Sequence, residues 1–251
     1  MAAPETKATL PLLLSLNAGY VDTAGFLALQ GLFTAHVTGN FVTLGASLAL
    51  GTSGAIAKLL ALPIFCAVVI ATRLLNTWLS ERNRRALDAL IALQVLLLIM
   101  GAGLAMRFGP FHDTDGWQAV LTGMVLVGAM AIQNALHRVH LGSAPPSTIM
   151  TGTTTQVMID LADRIHAPKG VDAQSNSRLL QMSTTIALFA IGCGIAALLY
   201  SFFGVKCFVV PPIVGTLQLV VRLNLWLRSR RDNECENEPR HMDRGDNQPR
   251  V

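Results

Sequence analysis

Charge is what this sequence has least of. Only 14% of its 251 residues are Asp, Glu, Lys or Arg, against about a quarter in an ordinary soluble chain. The shortage is uneven. The last 24 residues, Arg228 to Val251, hold six Arg and six Asp or Glu. That leaves 22 charged residues among the first 227, too few to cover the surface of a soluble domain of that size. A soluble enzyme and a disordered chain therefore both fit poorly. Cysteine is scarce as well, with four in all. Cys66, Cys193, Cys207 and Cys235 have neither metal-ligand spacing nor the density of a disulfide scaffold, and read as small hydrophobes. A basic segment is missing from the N-terminus, and the first apolar run continues past the usual cleavage zone into Asp22. Leu10–Gln30 is accordingly expected as a retained helix rather than a signal peptide. The formal charge of +4 is accounted for by basic residues at membrane edges, and no nucleic-acid role is expected.

What is present is length of apolar chain. A hydrocarbon core of ~30 Å needs about 20 mostly apolar helical residues. Six stretches meet that length: Leu10–Gln30, Ala55–Leu79, Leu87–Arg107, Trp117–His137, Leu179–Phe203 and Cys207–Leu227. Thr38–Leu50 and Ile149–Asp160 are shorter, at 13 and 12 residues. Helices of that length span only ~20 Å at 1.5 Å per residue.

The short stretches resemble each other. The first opens His36-Val37-Thr38-Gly39-Asn40 and the second Ile149-Met150-Thr151-Gly152-Thr153, an offset of 113 residues between Thr38 and Thr151. Upstream, Gly19–Asp22 falls opposite Gly128–Ala131 at an offset of 109, which requires an insertion around Pro145-Pro146. Each short stretch is followed by two long ones. The pattern predicts two repeats, about residues 8–115 and 116–228, in one membrane domain over 1–228, followed by a disordered cytoplasmic tail over 229–251.

Lys and Arg favour the cytoplasmic side, which orients the chain. If both short stretches enter and leave on one face, with both termini cytoplasmic, the basic residues divide 13 inside to 3 outside, leaving out three Arg of the tail. If both span, the best division is 10 to 6. The expected fold is therefore all-α and polytopic, with six transmembrane helices and two short re-entrant half-helices. The repeats then begin on opposite faces and form an inverted pair, a recurring plan of secondary transporters.

Asp22 is the acid inside a long span, away from its ends. A charged carboxylate at mid-bilayer costs at least ~2.5 kcal/mol on insertion scales. Asp22 must therefore face protein, be protonated or find a partner, and it is a candidate for binding a cation or carrying a coupling proton. The alternative is a helix-to-helix hydrogen bond. The turns Thr38-Gly39-Asn40 and Thr151-Gly152-Thr153 are candidates for helix N-termini at the midplane. Their free N–H groups would be capped by Thr38 or Asn40, and by Thr151 or Thr153, and aimed at a solute. Gln133 and Asn134 stand where the second repeat needs a counterpart to Asp22. Asn17 lies about a turn before Asp22. All three read either as site groups or as interhelical hydrogen bonds. His36 could share a proton with Asp22. His137 and His140 lack a third metal ligand, and no metal or cofactor is expected. No Gly-x-Ser-x-Gly turn or Ser/His/Asp set is evident, and an enzyme is not expected.

Ala18-Gly19-Tyr20-Val21-Asp22, Gly25-Phe26 and Phe33-Thr34-Ala35-His36-Val37-Thr38-Gly39-Asn40 resemble the signature of the YoaK-type family of bacterial inner-membrane proteins. Gln133-Asn134-Ala135 and Met150-Thr151-Gly152-Thr153 are similar to it too. The resemblance spans about residues 8–228. It implies a six-span protein of the bacterial inner (plasma) membrane carrying a domain of unknown function, and it brings no substrate or catalytic residues. The leading expectation is a small-solute transporter or channel, with the bilayer and an unidentified small solute or ion as partners. The alternative is a non-transporting membrane scaffold or accessory subunit. Homo-oligomerisation is left open by the sequence.

Overall fold

The computed structural model describes residues 4–82, 85–166 and 173–236. Among them there is no strand. Eight α-helices follow in order: α1 (Pro4–Ala28), α2 (Asn40–Leu50), α3 (Ala55–Glu81), α4 (Ala86–Phe108), α5 (Trp117–His140), α6 (Met150–His166), α7 (Ala173–Phe203) and α8 (Val210–Glu236). Turns of 3-10 helix precede α2 (Val37–Gly39) and α8 (Gly204–Val209). An apolar surrounding forces this choice, because a helix satisfies its own backbone polar groups and an open sheet edge does not.

Among the described residues, four helical stretches are long and apolar enough to cross a membrane: Ala55–Glu81, Ala86–Phe108, Trp117–His140 and Gln174–Leu227. The last, of 54 residues, runs along α7 from Gln174, through the 3-10 turn and along α8 as far as Leu227. Gly204 lies at its bend with φ +56°, a left-handed conformation that glycine adopts without Cβ strain. The bend reverses the chain. Tyr20 donates to the carbonyl of Cys207, and Gln218 donates to that of Leu13, so α8 runs down α1 as the numbering of α1 falls. α8 continues to Glu236, past residue 229, where the tail was expected to start. Residues 237–251 lie outside the described ones.

The helices pair across the expected repeats. α1 packs on α7 and α8, α5 packs on α3 and α4, and α4 meets α8. The α1–α7 contact is backbone to backbone. A Cβ on Gly19 would stand 2.1 Å from the carbonyl oxygen of Phe189, and one on Gly192 would stand 2.2 Å from that of Leu16. Small residues at such crossings replace the hydrophobic drive that lipid cannot supply. α5 is the central helix, buried from Leu126 to Gln133. α3 turns Leu59, Ile70 and Leu74 outward, an apolar surface suited to lipid.

Candidate functional site

Asp22 points inward from α1 and is 5% exposed. It braces the segment that follows the helix. One carboxylate oxygen accepts from the backbone amides of Thr34 and Ala35, each at 2.7 Å, and from the Thr34 hydroxyl at 3.3 Å. The other lies 2.6 Å from His36 Nδ1. Hydrogen bonds to an ionised acceptor are about twice as strong as neutral ones, and three donors replace much of the hydration that the carboxylate gives up. His36 is half-buried, stacks edge-on to Phe189 at 5.3 Å, and faces the backbone of Thr148. The segments that lead into α2 and α6 therefore touch through this imidazole.

The second segment is braced in the same manner by neutral groups. Asn134, on α5, accepts from the Thr148 hydroxyl at 2.5 Å and donates back to the carbonyl of Met130. Gln133 donates to Ser147 Oγ and to the carbonyl of Leu14, and accepts from Gln94. By hydrogen bonding, then, the counterpart of Asp22 is Asn134. The offset is about that of the turns, and the alignment with Gly128–Ala131 and its insertion at Pro145-Pro146 is not needed.

The expected caps of α2 do not form. Its N-cap is Gly39, without a side-chain hydrogen bond. Asn40 is occupied elsewhere: its amide accepts from the N–H of Phe33 and donates to the carbonyl of Phe33, both at 2.8 Å, which closes the loop 33–40. Thr153 turns its hydroxyl back to the carbonyl of Ile149 within the first turn of α6. Thr151 and Gly152 are exposed.

The two turns line two cavities. Thr38 and Gly39 share one of about 620 Å3 with Asp22, His36, Phe26, Phe33, Phe189 and Cys193. Gly152 and Thr153 line another of about 490 Å3, with Arg138, Arg178, Gln156 and Gln181. Both run against α7. The second reaches Met182 and the first begins at Phe189, about 10 Å further along the helix. The His36–Thr148 junction connects the two turns. Asn17 faces neither cavity. It is fully buried, and neither its Oδ1 nor its Nδ2 finds a partner.

Sequence reasoning missed Thr34, Ser147 and Thr148. Their signal was available: Thr34 stands four residues before Thr38, as Ser147 does before Thr151. It missed Phe189 and Cys193, which reach the first cavity only through the α1–α7 crossing.

A family model described as "Protein of unknown function (DUF1275)" matches residues 10–221. The UPF0700 transmembrane protein YoaK of Bacillus subtilis (strain 168) is 33% identical over 205 residues, covering 79% of this chain and 86% of that protein. No solved structure matches the chain. The apolar helices agree with these relationships, and the chain belongs to this family of membrane proteins.

Proposed function

We propose that the protein is a small-solute transporter with six spans and two re-entrant half-helices, α2 and α6, in inverted repeats, and with both termini cytoplasmic. Several contacts support the topology. Ser53, after α2, bonds Gln30, just beyond α1, so the chain returns to the end from which it dipped. Arg164 of α6 bonds Asn176 of α7, a return at the opposite end, where His140 meets Asn76. The swapped pairing of α1 with α7 and α5 with α3 is what a twofold axis in the membrane plane generates. Single cysteines at Ser53 and Ser143, in a background without native cysteines, should label from opposite faces of the membrane. Labelling from the same face would defeat the topology.

The observation that carries the transport reading is the two cavities stacked along α7, with the Asp22–His36 pair at the junction between the turns that line them. Solute would reach the junction from either cavity, and a proton on the pair would alter the brace that holds the turns together. Reconstituted protein should take up one of a panel of small anions, amino acids and cations, and solute should slow alkylation of Cys193 in the first cavity. Flux equal to that of empty liposomes across the whole panel would sink the proposal. One observation favours the scaffold reading instead: both Asp22 oxygens are already engaged by the loop and His36. That reading expects Asp22→Asn to change stability alone and one stoichiometric protein to co-purify.

A further inference from the structure

A third and larger cavity, about 760 Å3, lies at the end of the bundle where α1 and α4 begin and α5 finishes. It does not contain Asp22, His36 or either Thr-Gly turn. Its lining is divided by chemistry. Leu12, Leu180 and Leu225 are apolar members of it, and His140, Ser143, Gln181 and Arg222 polar ones.

Charge at this end of the bundle does not cancel. Arg222 Nε is 3.2 Å from Asp88, and Arg85 is 3.9 Å from the same carboxylate. Two guanidinium groups thus share one acid. Arg73 and Arg222 both act electrostatically on His140, which adds a third cation to this end. Arg222 Nε is buried against Asp88, so that contact anchors the guanidinium while the side chain lines the cavity. Arg85 lies over the ring of Trp226 at 3.2 Å. An Arg–Trp stack of this kind suits the headgroup level, where tryptophan collects.

A small inorganic anion would answer the cations and leave the leucines facing water. A ligand that satisfies both kinds of lining has a negative head and an apolar tail. We infer that this cavity binds one anionic phospholipid, with its phosphodiester at Arg222 and an acyl chain against Leu12, Leu180 and Leu225. The site is separate from the transport reading and stands without it. Bound lipid would hold the starts of α1 and α4 to the end of α5 and to α8.

The test uses the full chain, purified and exposed to equimolar phosphatidylglycerol and phosphatidylcholine, with retained lipid counted by native mass spectrometry. Each engaged cation should favour the anionic lipid about fivefold. Arg222→Gln should remove about that factor. Arg107→Gln, at the far end of α4, should leave the preference unchanged. Should loss of the Asp88 contact prevent Arg222→Gln from folding, Leu180→Trp offers a second route. Leu180 is 70% exposed and lines the cavity, so an indole there should obstruct the tail, spare the fold and reduce retention. Excess inorganic phosphate should not displace the lipid. Equal retention of the two lipids by the wild type would overturn the proposal. So would equal losses in the Arg222 and Arg107 variants, full retention by Leu180→Trp, or displacement by phosphate, which would mark a free-anion site.

Discussion

At the first turn, Asp22 gathers two backbone amides, a hydroxyl and an imidazole. At the second, Asn134 gathers one hydroxyl, while Gln133 beside it holds Ser147. Both are braces from a long helix to the segment that precedes a shorter one. The first is ionisable and the second is neutral. A change of protonation can therefore act on one brace and not on the other, and the asymmetry lies at the residue pair that joins them, His36 and Thr148.

The largest expected effect comes from removing each brace. Asp22→Ala leaves two buried amides and His36 without their acceptor. Each such loss costs about 1–3 kcal/mol. Asn134→Ala gives up one hydroxyl contact, about 1–2 kcal/mol. Thermal unfolding in detergent should place the Asp22 variant well below the Asn134 variant. Equal losses would mean that the carboxylate acts as no more than a neutral hydrogen-bonding group.

The charge itself is tested by exchanging the two residue types. In Asn134→Asp, the oxygen replacing Nδ2 would face the carbonyl of Met130, with the Thr148 hydroxyl as the one donor now in contact. A carboxylate so poorly served should cost at least about 2.5 kcal/mol. Asp22→Asn keeps one oxygen on its three donors and sets an amide against His36, which can accept as its other tautomer. It should cost about 1–2 kcal/mol and abolish the pH dependence of any flux. If Asn134→Asp proves the milder change, the second brace is wetter or better supplied with donors than its contacts indicate.

These contrasts show what was legible in the sequence. The long helices were, because apolar length is a local property, and so was the likeness of the two turns. Asp22 was conspicuous because an acid in an apolar run has few explanations. His36 was named as its neighbour and is paired with it, but Thr34 and Ala35 were not foreseen, since they reach it only after the chain doubles back. The capping expectation failed for a related reason. Asn40 has the right residue type for a cap, but Phe33 competes for both ends of its amide. α6 runs six residues past Asp160, because Leu161–His166 is able to form helix although the apolar stretch has ended. α8 starts at Val210 rather than Cys207, after the turn that Gly204 permits.

The smallest expected effect separates the two glycines, which look interchangeable in sequence. A Cβ on Gly39 would lie 2.9 Å from Phe33 Cδ2. That ring packs against Phe26 at 4.9 Å and lines the first cavity, so an added methyl must push it aside. Overpacking of this kind costs about 1–3 kcal/mol, and the displaced ring should also lower flux. A Cβ on Gly152 would meet Ile149 at 3.7 Å, an ordinary contact, on an exposed position near the start of α6. There alanine recovers up to about 1 kcal/mol of helix propensity. Gly39→Ala should therefore lower the unfolding temperature and Gly152→Ala should leave it level or raise it. A loss at Gly152 matching that at Gly39 would mean that the second turn is packed against more than its static contacts, as it would be if α6 closes on its cavity during the transport cycle.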